Sequence, residues 1–183
     1  MKTRYIALLR GINVGGKNVI PMKELKTLFE QCGFSDIETY IQSGNVLFSS
    51  GVSDASKIKK KIAINLKKIS GVEIPVVLLT AEQLSFVVAN APEWFGAEPE
   101  KYRYDVVFLD SEIEAEALFS KISLREGVDR AAAGNGVLYF SKLIEKATQS
   151  RLSKIISLPE YRFMTVRNWS TTRKILELFR SNQ

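Results

Sequence analysis

The turn Gln42-Ser43-Gly44-Asn45 limits the fold of this chain more than any other stretch. Strand-like runs flank it, Ile37–Ile41 before and Val46–Ser49 after, and a connection this short joins antiparallel neighbours. Parallel neighbours would need a crossover of a dozen residues or more. Around the hairpin the order reads strand, helix, hairpin, helix, strand. Tyr5–Leu9 is an apolar strand. Met22–Cys32 has a helical stripe of Leu25, Leu28 and Phe29, with Pro21 at its start and Gly33 past its end. Ser56–Ile69 aligns Ile58, Ile62, Leu66 and Ile69 on one face, and Gly71 stops it. Ile74–Leu79 is a short strand, and Thr80-Ala81-Glu82-Gln83 has the capping-box spacing that opens a further helix to about Ala89.

Periodicity lapses from Ala91 to Pro99, where two prolines and a glycine mark a linker. The same order then recurs. Tyr104–Leu109 reads as a strand, Glu112–Ile122 as a helix, and Val128–Ala133 with Val137–Ser141 as a hairpin across Gly134-Asn135-Gly136. Lys142–Ile156 follows as a helix, Phe163–Val166 as a strand and Ser170–Arg180 as a terminal helix. A βαββαβ order gives an antiparallel sheet with helices on one face. The expected fold is therefore α+β: two tandem ferredoxin-like plaits from an internal duplication, residues 1–95 and 96–183.

Absent residue types narrow the chemistry. The chain has no histidine and one cysteine, Cys32. Imidazole bases, Ser-His-Asp and Cys-His pairs and His- or Cys-based metal sites are thereby excluded, and no metal site is expected. Catalysis would fall to Lys, Arg, Asp, Glu, Tyr or Ser, to a cofactor, or to oxygen-ligated Mg²⁺. A lone cysteine forms no internal disulfide and fits a reducing cytoplasm; its place among apolar residues near a helix end gives it a packing role. The first residues lack the apolar run of a secretory signal or a spanning helix. Lys and Arg exceed Asp and Glu, 26 to 20, mostly before Pro92, and a field of that sign favours anionic partners.

Three polar clusters stand out. In Arg10-Gly11-Ile12-Asn13-Val14-Gly15-Gly16-Lys17-Asn18, glycines allow close backbone approach while Arg, Lys and Asn supply donors. The segment from Gly11 nearly spells G-x-x-x-x-G-K-[ST], but Asn18 replaces the Mg²⁺-ligating hydroxyl, Pro21 delays the helix, and the hairpin conflicts with a parallel sheet. Two readings fit what remains: an anion-binding loop built on the N–H groups of Gly15, Gly16 and Lys17, or a turn whose glycines serve geometry alone.

Gln42, Ser43 and Asn45 form the second cluster, which also fits a side-chain-capped turn. The turn is expected at the opposite end of the sheet from the loop after the first strand, so Gln42 or Asn45 would reach that loop only across a neighbouring strand. The third cluster is Arg167-Asn168-Trp169-Ser170-Thr171-Thr172-Arg173-Lys174. Asn168 or Ser170 suits a helix cap, core packing is the better reading of Trp169, and an indole beside guanidinium groups also suits a phosphate or a base. The lysines between Lys57 and Lys68 mostly lie opposite an apolar stripe, as on a solvated helix face.

Tyr5-Ile6-Ala7-Leu8-Leu9-Arg10-Gly11-Ile12-Asn13-Val14-Gly15-Gly16, Thr39–Val46, and Arg167-Asn168-Trp169 with Thr171 and Lys174 resemble the bacterial family catalogued as domain of unknown function 1697. The resemblance implies a duplicated ferredoxin-like plait and brings no activity, substrate or cofactor with it. It carries over Arg10, Asn13, Gly15, Gly16, Gln42, Ser43, Asn45, Arg167, Asn168 and Lys174 without assigning their roles. With Lys17 these residues make the expected ligand site, for an anionic small molecule, phosphorylated or nucleotide-like. Two alternatives stand beside it: a histidine-independent enzyme acting on such a ligand, for which the clusters offer no acid or base, and a nucleic-acid-binding module, which would show steeply salt-dependent affinity.

Overall fold

A computed structural model describes residues 2–16 and 18–181. The chain is α+β, with two four-stranded antiparallel sheets in two compact units, Met1–Leu84 with Leu178–Gln183, and Ser85–Glu177.

In the first unit the order is β1 (Thr3–Leu9), α1 (Met22–Gln31), β2 (Ser35–Tyr40), β3 (Asn45–Ser50), α2 (Ala55–Ser70) and β4 (Val76–Thr80). Its sheet runs β2-β3-β1-β4, so β1 lies at the centre between β3 and β4. Local chemistry sets the helix ends. Asp54 accepts from the Ser56 and Lys57 N–H groups at the start of α2, and Gly71 closes it at φ 73°. α1 follows Pro21, and Gly33, at φ 77°, lets the chain turn away. The apolar stripes of both helices meet Tyr5, Ala7, Leu9, Val46 and Phe48 in one core, where the Phe34 and Phe48 rings lie 4.5 Å apart. Cys32 is buried in the same core, and burial raises its thiol pKa. Ile6, Leu8 and Leu47, on the opposite face of the sheet, are buried too, which accounts for the unbroken apolar run in β1.

α3 (Ala81–Ala89) starts with the expected capping box. The Gln83 side chain accepts from the Thr80 N–H at 2.9 Å, and the Thr80 hydroxyl accepts from the Gln83 N–H at 3.2 Å.

The second unit holds β5 (Tyr102–Leu109), α4 (Ala115–Phe119), β6 (Asp129–Gly134), β7 (Val137–Leu143) and β8 (Met164–Asn168), and α5 (Trp169–Ser181) follows. Its sheet runs β6-β7-β5-β8. Two expectations need correction here. The helix expected over Glu112–Ile122 is the short α4 alone. The helix expected over Lys142–Ile156 does not form; β7 continues to Leu143, and three 3-10 helices follow, Ile144–Gln149, Leu152–Ser157 and Pro159–Phe163. Strand pairing claims the first residues, with Lys142 opposite Arg103 and Leu143 opposite Tyr102. Buried Asp129 then takes the Arg151 N–H at 2.9 Å, the donor an α-helix would give to the carbonyl of residue 147. The 3-10 segments still bury Leu152 and Ile155 against Val107, Phe140 and Met164.

Candidate functional site

Antiparallel pairing decides where the first two clusters lie. β1 and β3 run in opposite directions, so Leu8, near the C-terminal end of β1, faces Asn45, the first residue of β3. The loop after β1 and the β2–β3 turn therefore share one end of the sheet. The expectation that they lie at opposite ends is wrong for this reason. The Leu9 N–H donates to the Gly44 carbonyl at 2.8 Å, and the Arg10 N–H donates to the Pro75 carbonyl, just before β4, at 3.0 Å.

Close packing holds the two loops together. Ile12 is fully buried against the turn. At Gly44, φ is 79°, and a Cβ there would stand 2.7 Å from Ile12 Cδ1 and 2.8 Å from Leu9 Cβ. Only glycine meets both demands. Asn13, itself at φ 54°, completes the junction. Its Nδ2 donates to the carbonyls of Ile20 (3.0 Å) and Gln42 (2.9 Å), and its Oδ1 accepts from the Ile20 N–H at 2.8 Å. Both amide hydrogens are thus used to hold backbone. Asn18 Nδ2 donates to the Gly11 carbonyl at 3.0 Å, and the Asn13 N–H to the Asn18 carbonyl at 3.2 Å, closing the loop on itself.

Asn45, fully buried, makes this a side-chain-capped turn, donating to the Tyr40 carbonyl at 2.9 Å and to the Ser43 hydroxyl at 3.2 Å. Gln42 is exposed, and its backbone carbonyl carries the bond from Asn13. Ile41, at φ 50°, is a β-branched residue in the left-handed region and a strained position beside the loop.

Gly15 and Gly16 stand at the exposed tip. Both have positive φ, and a Cβ at either, or at Gly11, would meet nothing within 4 Å. Positive φ explains these glycines and packing does not. Arg10 is half-buried, and Lys17 lies outside the described residues.

Arg167, Asn168 and Lys174 belong to the other unit. Arg167 is a buried β8 residue whose Nη1 donates to the Thr165 hydroxyl and the Val166 carbonyl, each at 2.9 Å. Burial pulls its pKa down to about 10. Asn168 caps α5, accepting from the Thr171 N–H at 2.9 Å and the Ser170 hydroxyl at 3.1 Å. Lys174 pairs with Glu177 at 3.0 Å on the exposed helix face. Trp169 is half-buried rather than in the core, its indole edge-on to Phe95 at 5.0 Å between centroids. That Ile12 and Gly44 fit together is a contact between residues 32 positions apart, and no local pattern in the sequence signals it. Among the described residues no group of three or more His, Cys, Asp and Glu could hold a metal.

The family model described as "Protein of unknown function (DUF1697)" matches residues 1–139. The chain belongs to that family. The match includes both loops of the first unit and ends before Arg167. The structure of the conserved bacterial protein SP0830 from Streptococcus pneumoniae is similar, with a TM-score of 0.86 and 28% sequence identity, covering 98% of this chain and 99% of that one. No curated protein matches. No helix among the described residues is long and apolar enough to cross a membrane.

Proposed function

We propose that this DUF1697 protein binds a small anionic ligand, phosphorylated or nucleotide-like, at the loop after β1. The observation that carries the proposal is the exposed Gly15-Gly16 tip, whose positive φ angles leave backbone open to approach on a loop held at its base by Asn13 and Gly44. From Gly11 to Gly15 positive φ occurs at every second residue, a habit that turns successive N–H groups to one side, and it ends at Gly16. Arg10 and Lys17 supply charge, and the exposed side chain of Gln42 supplies hydrogen bonds. Asn13, Ser43 and Asn45 hold the shape. Arg167, Asn168 and Lys174 are not needed for it.

The same proposal takes residues 1–95 and 96–183 as two copies of one ferredoxin-like plait, supported by corresponding strand orders in the two sheets. It places the protein in the cytoplasm, where lone Cys32 stays reduced.

The test is a thermal-shift screen of inorganic phosphate, ribose 5-phosphate and nucleotides on the full chain. A ligand at 100 times its Kd stabilises the native state by about 2.7 kcal/mol. The expected result is a saturable rise in Tm that Arg10→Ala removes. A screen with no shift, or a shift by inorganic phosphate or ribose 5-phosphate that Arg10→Ala leaves unchanged, would overturn the proposal.

A further inference from the structure

The second unit contains a groove of about 330 Å³ that lies outside the loops of the first. Its size is near the lower end of small-molecule sites, roughly 300–1,000 Å³. That leaves room for one ring system and one charged group.

Three aromatic residues line it, Tyr102 and Tyr104 from β5 and Trp169 from the start of α5. Each is held in place. The Tyr102 hydroxyl accepts from Arg130 Nη2 at 3.1 Å, and the same guanidinium stacks 4.6 Å from the ring centroid. The Tyr104 hydroxyl accepts from the Glu98 N–H at 3.1 Å. Trp169 lies over Gly96, where a Cβ would stand 2.5 Å from its Nε1, so residue 96 must stay glycine for the indole to keep its place. Fixed aromatic surfaces cost a ligand little ordering entropy.

The charge facing this groove is that of Arg173, and no Asp or Glu lines it. Arg103 alternates with Tyr102 and Tyr104 along β5, so its side chain lies on the other face of the sheet, paired with Asp105 at 3.4 Å. Arg173 is exposed and enters no ion pair among the described residues. A wall of rings beside an unpaired guanidinium recognises a planar ring that carries an anion.

We propose that this groove binds an aromatic phosphate of nucleoside-monophosphate size. The ring lies against the half-buried indole of Trp169, with the buried tyrosines forming the groove's floor, and Arg173 takes the phosphate. No residue of the loop after β1 lines this groove, and the proposal does not rest on ligand binding at that loop.

The experiment titrates AMP, adenosine and ribose 5-phosphate into the full chain carrying Trp94→Phe, which leaves Trp169 as the only indole. Fluorescence and the indole N–H resonance are followed together. The expected result is saturable quenching by AMP with a shifted resonance, and affinity at least about tenfold weaker for either half-ligand. Arg173→Ala, at an exposed helix position, should weaken AMP by about fivefold or more while leaving the circular dichroism unchanged. Failure to saturate by about 10 mM AMP would overturn the proposal. So would equal binding of ribose 5-phosphate, or AMP affinity unaltered by Arg173→Ala. Loss of the signal in Arg10→Ala would assign the binding to the loop after β1 and overturn the groove.

Discussion

Gly44 and Gly71 offer a controlled comparison of two glycines that the backbone treats alike. Their φ angles are 79° and 73°, so alanine meets about the same left-handed penalty at each, roughly 1–2 kcal/mol. Restriction of the unfolded chain returns about 0.4–1 kcal/mol in both cases. The surroundings differ. A Cβ at Gly71 meets nothing within 4 Å, whereas at Gly44 it falls 2.7 Å and 2.9 Å from Ile12 side-chain carbons and 2.8 Å from Leu9 Cβ. Ile12 is fully buried and cannot swing away into solvent, and Leu9 Cβ is fixed by the central strand. Overpacking of this kind costs about 1–3 kcal/mol. Gly71→Ala is therefore expected to destabilise by about 1 kcal/mol and Gly44→Ala by about 2–4 kcal/mol.

The assay must report on the first unit. Both tryptophans, Trp94 and Trp169, lie in the second, so fluorescence would follow the wrong one. Urea unfolding by far-ultraviolet circular dichroism gives the total effect, and hydrogen exchange at the Leu9 amide, bonded to the Gly44 carbonyl, gives the local one. Ile12→Ala in the Gly44→Ala background removes two of the three close contacts, so the two substitutions should be coupled favourably by about 1 kcal/mol or more. Equal destabilisation by Gly44→Ala and Gly71→Ala, within about 0.5 kcal/mol, would refute the argument that packing rather than φ selects glycine at residue 44.

Asn13→Ala removes three hydrogen bonds from a half-buried junction and should cost about 2–3 kcal/mol, read as a lowered urea midpoint with an unchanged m-value. Asn13→Gly keeps the positive φ but loses the same bonds; a nearly neutral effect would show that φ alone matters at that position. Tyr139 gives a pH test. Its hydroxyl donates to the Val87 carbonyl at 2.7 Å, and burial pushes its pKa up to about 12 from 10.0. The unfolded chain releases this proton first, so the contribution is intact below pH 10 and is lost as pH rises toward 12. Tyr139→Phe should flatten the decline of stability with pH above 10, as followed by urea midpoints across that range.

Local chemistry made much of the fold legible. Gly71 ends α2, Thr80 and Gln83 open α3, and the two short connections fix the antiparallel hairpins. Where the sequence misled, the deciding contact is distant along the chain. The run after Lys142 has enough apolar residues for a helix, but Asp129, 22 positions before Arg151, takes its N–H, and pairing with β5 extends β7 first. Periodicity within the segment contains neither fact.

The candidate site was legible as composition and illegible as division of labour. Asparagines beside glycines resemble ligand donors, yet Asn13, Asn18, Asn45 and Asn168 all have side chains engaged in holding a loop, a turn, a cap or, for Asn13, the junction of two loops. The reason is general. A backbone with positive φ at Gly11, Asn13, Gly15, Gly16 and Asn18 pairs poorly with itself, so its N–H and C=O groups must find side-chain partners. Amide density in such a loop therefore measures the cost of holding irregular backbone before it measures affinity for anything else. The proposed ligand would meet only the part this scaffold holds outward: the Gly15-Gly16 tip, with Gln42 exposed on the adjoining turn.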